Sequence, residues 1–226
     1  MNTKIYNKLQ QMFKESPYIL TNPQALSQAI AGVFDVGIAI NQNAFSIYNL
    51  VDVIDAEVMK KYFTEVWQPK TKKYKYSGLG LIDEINNLKP LSVLDFGCGY
   101  NEFKGKINNL HGVDPYNTKA DHNCALLQFQ PPANYDVIIS MGSINFGTTE
   151  KIIQEMRHAV SITNQNGFLF FRVNPGEQHE APEARWIEFY EWDYPFILNV
   201  ANHLGCEVLQ LRQDSGNRIY FVLRKR

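Results

Sequence analysis

Residues 93–101 read Val-Leu-Asp-Phe-Gly-Cys-Gly-Tyr-Asn, an apolar run that stops abruptly at two glycines. Val93, Leu94 and Phe96 fit a buried strand, and Gly97 and Gly99 fit the turn at its carboxyl end. In open α/β sheets ligands sit outside such strand ends, and glycine lets the backbone approach them without a Cβ in the way. A second apolar run, Leu110–Val113, ends in Asp114, 19 residues after Asp95. A carboxylate at that place can accept hydrogen bonds from ribose hydroxyls.

The surrounding pattern alternates helix and short apolar strand. Leu81, Ile82, Ile85 and Leu88 predict a helix that stops at Lys89-Pro90, followed by strands over 91–96, 110–113, 135–140 and 168–173. Ile152, Ile153, Met156 and Val160 mark an amphipathic helix between the last two. A further short strand is expected within 121–130. Nearly unbroken apolar strands between helices imply a parallel sheet covered on both faces. After a helix from Asp193 to about Leu204, closed by Gly205, the runs CEVLQLRQ and NRIYFVLR flank Asp214-Ser215-Gly216, which predicts a tight hairpin.

The first part of the chain is helical. Ile5, Leu9, Met12 and Phe13 share one face, ending at Pro17. Asn22-Pro23 is a cap followed by proline at the first helical position, with Gly37 expected to close that helix. A third helix is expected from Asp55 to about Trp67. The lysine-rich stretch 69–78 then separates a helical segment, 1–78, from the α/β segment, 79–226. Its lysines interleave with Tyr74 and Tyr76. Such a tract either grips phosphates and stacks bases or is a solvated linker, and the linker is the commoner use.

Composition narrows the function classes. The 226 residues are 45% apolar and 13% aromatic, as in a packed globular protein, and 22 basic residues against 23 acidic ones leave a formal charge of −1. No global field points to nucleic acid or membrane. Cys98, Cys124 and Cys206 are far apart with no metal-type spacing, so neither a disulfide framework nor a metal site is expected, and a reducing compartment fits. No apolar run approaches a membrane span or a secretory leader, which predicts a cytoplasmic protein with no membrane partner.

The two turns together resemble motifs I and II of class I methyltransferases that use S-adenosylmethionine (SAM). The resemblance covers 79–226. It implies a doubly wound, mostly parallel, seven-stranded sheet ending in an antiparallel hairpin, with residues 1–78 as a helical cap and linker. It also implies SAM as cofactor. Asp95, Gly97 and Gly99 match the loop under its methionine part, and Asp114 matches the ribose acid. Cys98, Pro115, Ala125, Ser140 and Met141 flank these positions, and Tyr76 precedes the domain where the family often covers the cofactor. The wording DFGCGYN, VDPYN, SMGSINF and RVNPG is similar to small methyltransferases of tailed phages, which would place the protein in a host cytoplasm.

Two departures stand out. Asn101 replaces the third glycine of the turn, although asparagine tolerates a left-handed backbone. Cys124 stands where relatives place an adenine-contacting aspartate, leaving backbone near Ala125 and Leu126, or Asp121, for that role. NAD is the rival ligand, but Glu102 occupies the last glycine of a GxGxxG fingerprint and would repel a pyrophosphate.

On the acceptor side, Ser140, Ser143 and Asn145 follow the 135–140 strand, each open to an acceptor-orienting role or to ordinary loop and cap duty. Asn174, Gly176, Glu177, His179 and Glu180 follow the next strand. His179 has the intrinsic pKa of a general base, though a loop histidine is more often solvated, and methyl transfer can proceed by alignment alone. Trp186, Phe189, Tyr190 and Trp192 either wall a pocket or fill a core. Neither the Asn-Pro-Pro-aromatic signature nor a Pro-Cys nucleophile is present, so methylation of DNA bases is disfavoured. The expected activity is methyl transfer to an oxygen or nitrogen of a small molecule, RNA or protein. The competing expectation is an inactive methyltransferase-like module that binds a partner or senses SAM.

Overall fold

The structure is a computed structural model that describes residues 1–40, 46–68, 78–176 and 181–226. The chain divides into two compact units. One comprises Met1–Trp67 with His179–Glu188, and the other Gln68–Gln178 with Phe189–Arg226. No helix of the described residues is long and apolar enough to cross a membrane.

Among its described residues the first unit contains three α-helices, α1 (Thr3–Glu15), α2 (Pro23–Phe34) and α3 (Ile47–Lys61). Ile5, Leu9 and Met12 are the buried stripe of α1. Its cap, Asn2, accepts from the Ile5 N–H and donates from Nδ2 to both Asp55 Oδ1 and the Trp186 carbonyl, each at 2.7 Å. Asn22 caps α2 as expected, through the Ala25 N–H at 3.1 Å. The other end differs. α2 closes at Asp35 (φ 57°) and not at Gly37, because aspartate also tolerates the left-handed region and Lys61 reaches the Asp35 carboxylate at 2.6 Å. α3 starts at Ile47 rather than Asp55, since Ser46 caps it and Leu50, Val51 and Ile54 extend its apolar face.

The second unit is built on a sheet of β1 (Val93–Phe96), β2 (Leu110–Val113), β3 (Tyr135–Met141), β4 (Thr163–Val173), β5 (Cys206–Asp214) and β6 (Arg218–Lys225). Their order is β2-β1-β3-β4-β6-β5. The first four are parallel, β6 runs antiparallel to β4, and β5 pairs antiparallel with β6 to form the expected hairpin. Its turn is shifted by one residue, with Gly216 and Asn217 left-handed and Asp214 closing β5. There Asp214 forms a buried ion pair with Arg172 of β4 at 2.8 Å.

Strand parity divides the core. Leu94, Phe96, Ile138, Leu169, Phe171 and Phe221 face α5 (Thr149–Ser161) and α6 (Tyr194–His203). Val93, Val137, Ile139, Phe170 and Val222 face α4 (Leu81–Asn87), joined by Phe103 and Ile107.

The sheet has six strands among the described residues, not seven. The segment 121–130 makes only an isolated bridge between His122 and Val113, then a single 3-10 turn at Leu126–Gln128. Asp121 explains this. Its N–H and that of His122 both go to the Gly112 carbonyl, and its carboxylate takes the Gly112 N–H and Lys104. The His122 N–H and carbonyl make the bridge itself, but the Gly112 N–H that a longer strand would pair with goes to the Asp121 side chain, so no ladder extends from it. The β1–β2 crossover differs as well. Residues 97–109 run through successive turns with no helix, and Phe103 and Ile107 cover the sheet in its place.

Candidate functional site

β1 lies between β2 and β3, and the chain winds outward from it in both directions. The crevice at the carboxyl ends of β1 and β3 is therefore the switch point of the sheet, the place where open α/β folds take ligands. The Gly97 and Cys98 N–H groups both donate to the Val113 carbonyl, pinning the turn to β2. Gly97, Gly99 and Asn101 have φ of 85°, 51° and 56°. Asn101 thus takes the left-handed conformation expected of the replaced glycine, and its Nδ2 donates to the Lys119 carbonyl at 2.9 Å.

Asp114 is the hub of this turn. Its Oδ2 accepts the Gly99 N–H at 2.9 Å, and its Oδ1 accepts those of Tyr116 and Asn117, both at 2.8 Å. A carboxylate offers about four lone-pair sites, so three are in use and one remains on Oδ2. The Asp-Pro-Tyr-Asn wording of 114–117 is itself the signal for such an aspartate turn.

Asp95 is the opposite case. It is 2% exposed, and among the described residues no hydrogen bond reaches its carboxyl. Burial, reinforced by the neighbouring Asp114 carboxylate, pushes its pKa up to about 8. Cys98 is tucked beneath the turn. Burial first, and then the carboxylates of Asp95, Asp114 and Asp121, push its thiol far above the usual range, so it is inert.

Across the crevice, Ser143 donates to the Phe96 carbonyl, which leaves Ser140 to donate to Ser143 Oγ at 2.6 Å. A Cβ on Gly97 would run into the Ser143 side chain. The bare face of Gly97 is therefore filled by Ser143, not left open for a ligand, and Ser143 clasps β1 to β3 instead of presenting its proton to an acceptor.

Asn145 also has a different place from the expected one. It is 0% exposed and holds the 174 turn, its Oδ1 accepting the Asn174 N–H at 2.9 Å and its carbonyl accepting the Tyr190 N–H at 2.8 Å.

Asp121 is committed to Lys104, Gly112 and Asn101. Although burial opposes it, these partners hold its carboxyl below the usual range, so no capacity is left for adenine. Ala125 is exposed beside the half-buried Cys124, and Pro115 and Met141 are half-buried at the strand ends. Tyr76, His179, Glu177, Glu180 and the lysine tract lie outside the described residues.

The aromatic group splits between the two units. Trp186 packs on Phe34 at 4.8 Å between centroids, in the first unit. Trp192 lies in the sheet core of the second, donating from Nε1 to the Ile144 carbonyl at 3.0 Å, with Tyr190 at 5.5 Å. Phe189 packs on Phe146. These are core contacts.

Comparison with known proteins gives a fold. No family model matches the chain, and no curated protein matches it. Solved structures do. The 1,6-didemethyltoxoflavin N1-methyltransferase of Burkholderia thailandensis, crystallised with 1,6-didemethyltoxoflavin and S-adenosylhomocysteine (SAH), aligns with a TM-score of 0.59 at 12% identity, over 82% of this chain and 93% of that one. A SAM-dependent methyltransferase from Clostridium acetobutylicum aligns at 0.52, with 11% identity over 80% and 99% of the two chains. DesVI of Streptomyces venezuelae aligns at 0.50, with 11% identity over 81% and 100%. The fold is that of SAM-dependent methyltransferases. At this identity the likeness covers topology, and the site has to be argued from its own residues.

Proposed function

We propose that this chain binds SAM at the switch point between β1 and β3 and transfers its methyl group to an oxygen or nitrogen acceptor. The observation that carries the reading is Asp95. A buried carboxyl that no hydrogen bond reaches among the described residues is costly, and its place beneath a left-handed glycine turn suits the ammonium of an amino-acid ligand. The remaining lone pair of Asp114 suits one ribose hydroxyl. Gly99, Pro115, Ala125, Ser140 and Met141 border the same strand ends, and Tyr76 is assigned to the cofactor on the resemblance alone. When bound, SAM supplies an electrophilic methyl on a sulfonium. The chain's part is to orient: Asp95 fixes the amino-acid end, Asp114 the ribose, and the Ser143 clasp keeps the two turns at constant spacing. His179 is kept as the candidate base for acceptors that must lose a proton, in a cytoplasmic enzyme.

SAH is expected to bind with a micromolar Kd and to stabilise the fold. At a free concentration a hundredfold above Kd, linkage gives about 2.7 kcal/mol. Calorimetry without heat or saturation at millimolar SAH sinks the cofactor assignment.

Asp114→Ala should weaken SAH by roughly tenfold or more, since one charge-assisted hydrogen bond is worth about 1.5–3 kcal/mol. Ser143→Ala, which touches only the clasp, should change affinity far less. Equal isotherms for the two variants would place the ribose elsewhere.

A further inference from the structure

Asn145 and Asn174, at the carboxyl ends of β3 and β4, are 0% and 1% exposed. Each carries a buried side-chain atom with no hydrogen-bond partner among the described residues, the donor Nδ2 of Asn145 and the acceptor Oδ1 of Asn174. Native interiors leave only a few such groups unpaired per hundred residues, and each one calls for an explanation. Here a donor and an acceptor are orphaned on adjacent residues, joined by the Asn174 N–H to Asn145 Oδ1 bond. That bond also fixes which end of the Asn145 amide is the nitrogen.

Backbone bonds anchor both residues. The Trp192 N–H goes to the Asn174 carbonyl and the Tyr190 N–H to the Asn145 carbonyl, so the two side chains are held in place without being satisfied. The cover over Asn145 Nδ2 is thin. A Cβ built on Gly142 would lie 3.6 Å from it, and Gly142 is only half-buried. With no side chain at 142, the bare face of this glycine borders the nitrogen, and beyond its chain neighbours no other described atom lies within 4 Å of the position a Cβ would take.

We propose, resting on the methyltransferase reading, that Asn145 and Asn174 recognise the acceptor substrate by a neutral amide or lactam edge. Asn145 Nδ2 donates to its carbonyl oxygen, and its N–H donates to Asn174 Oδ1. A charged group fits poorly. A carboxylate would set its charge against Asn174 Oδ1, and Arg172, the cation of that strand end, is committed to Asp214 and Ser215. Asn145 and Asn174 are thus specificity residues for substrates with a carbonyl beside an N–H, such as carboxamides and N-heterocyclic lactams.

The test uses the full chain with nicotinamide and nicotinate as probes, followed by ligand-detected NMR with and without saturating SAH. Nicotinamide is expected to bind at least tenfold more tightly than nicotinate. Asn174→Leu, close in shape but apolar, is expected to weaken nicotinamide at least tenfold while raising Tm, because an unpaired buried acceptor is removed. Asn145→Asp keeps the oxygen that holds the Asn174 N–H, loses the donor, and should also weaken the probe. Equal binding of the two probes, no binding of nicotinamide, or unchanged binding in Asn174→Leu overturns the proposal and leaves the pair as the seat of a buried water. A lowered Tm in Asn174→Leu overturns it too, by showing the amide is already satisfied. SAH titrated into the same samples separates the two failures. SAH binding without probe selectivity defeats only the acceptor pair, whereas absent SAH binding defeats the cofactor site.

Discussion

Asp95→Asn is expected to yield a protein that is more stable than the parent at pH 8.5 and binds SAH poorly. The parent's carboxyl titrates near 8 in the fold against an ordinary value of 3.8, because burial and the Asp114 charge disfavour ionisation. The folded state thus holds that proton more tightly than the unfolded chain. Stability therefore falls as pH rises from about 4 to about 8, by about 6 kcal/mol at most, and is level above that. An amide of the same shape escapes this penalty, so the Tm advantage of the variant should be near zero at pH 4 and largest above pH 8.

The same group makes ligand binding pH-dependent. An ammonium needs the ionised carboxylate, so binding expels a proton, and SAH affinity should rise by up to about 50-fold between pH 6 and pH 8. Melting curves across pH and calorimetry in buffers of different ionisation heat read both effects. A Tm difference that ignores pH, or an undiminished SAH affinity in Asp95→Asn, rules out Asp95 as the ammonium partner.

Gly97→Ala is expected to cost roughly 2–6 kcal/mol, combining a strained left-handed alanine with overpacking against Ser143. The obstructing atom is Ser143 Cβ, close to the backbone, so a rotamer change cannot relieve it. Ser143→Gly in the same chain should recover the packing part and leave the backbone part, giving a partial rescue by urea denaturation. Full stability in the single variant would mean that the β1 and β3 turns do not meet as described.

The pattern of strands was readable because each is apolar and lies between recognisable stops. β2, for instance, is bounded as expected at Leu110 and Val113. Misreadings came where side chains redirect backbone hydrogen bonds. Asp121 turns an apparent strand into a bridge and a 3-10 turn, Asp35 closes α2 ahead of the obvious glycine, and Ser46 starts α3 early.

At the site, the glycine turn and Asp114 could be placed from spacing, since turn chemistry is local. The clasp of Ser143 over Gly97 and the hold of Asn145 on the 174 turn could not. Each joins residues about 30 or more positions apart, and nothing in a single strand's wording announces the partner. Asn101 was readable for the opposite reason, because the left-handed preference belongs to the residue itself.

The β1–β2 crossover runs in turns, and this sets the electrical character of the crevice. In phosphate-binding Rossmann-type sites the glycine loop opens into a helix whose aligned peptide dipoles bring roughly half a positive charge to the ligand. Here residues 97–109 provide no such helix end, and the turn rests on the Asp114 carboxylate, which accepts the Gly99 N–H, with Asp95 beside it adding a second negative charge only as pH rises towards 8. A dinucleotide would bring its pyrophosphate to a negative potential with no dipole to offset it. A sulfonium amino acid brings two positive centres and no phosphate, so the field that repels the first ligand attracts the second.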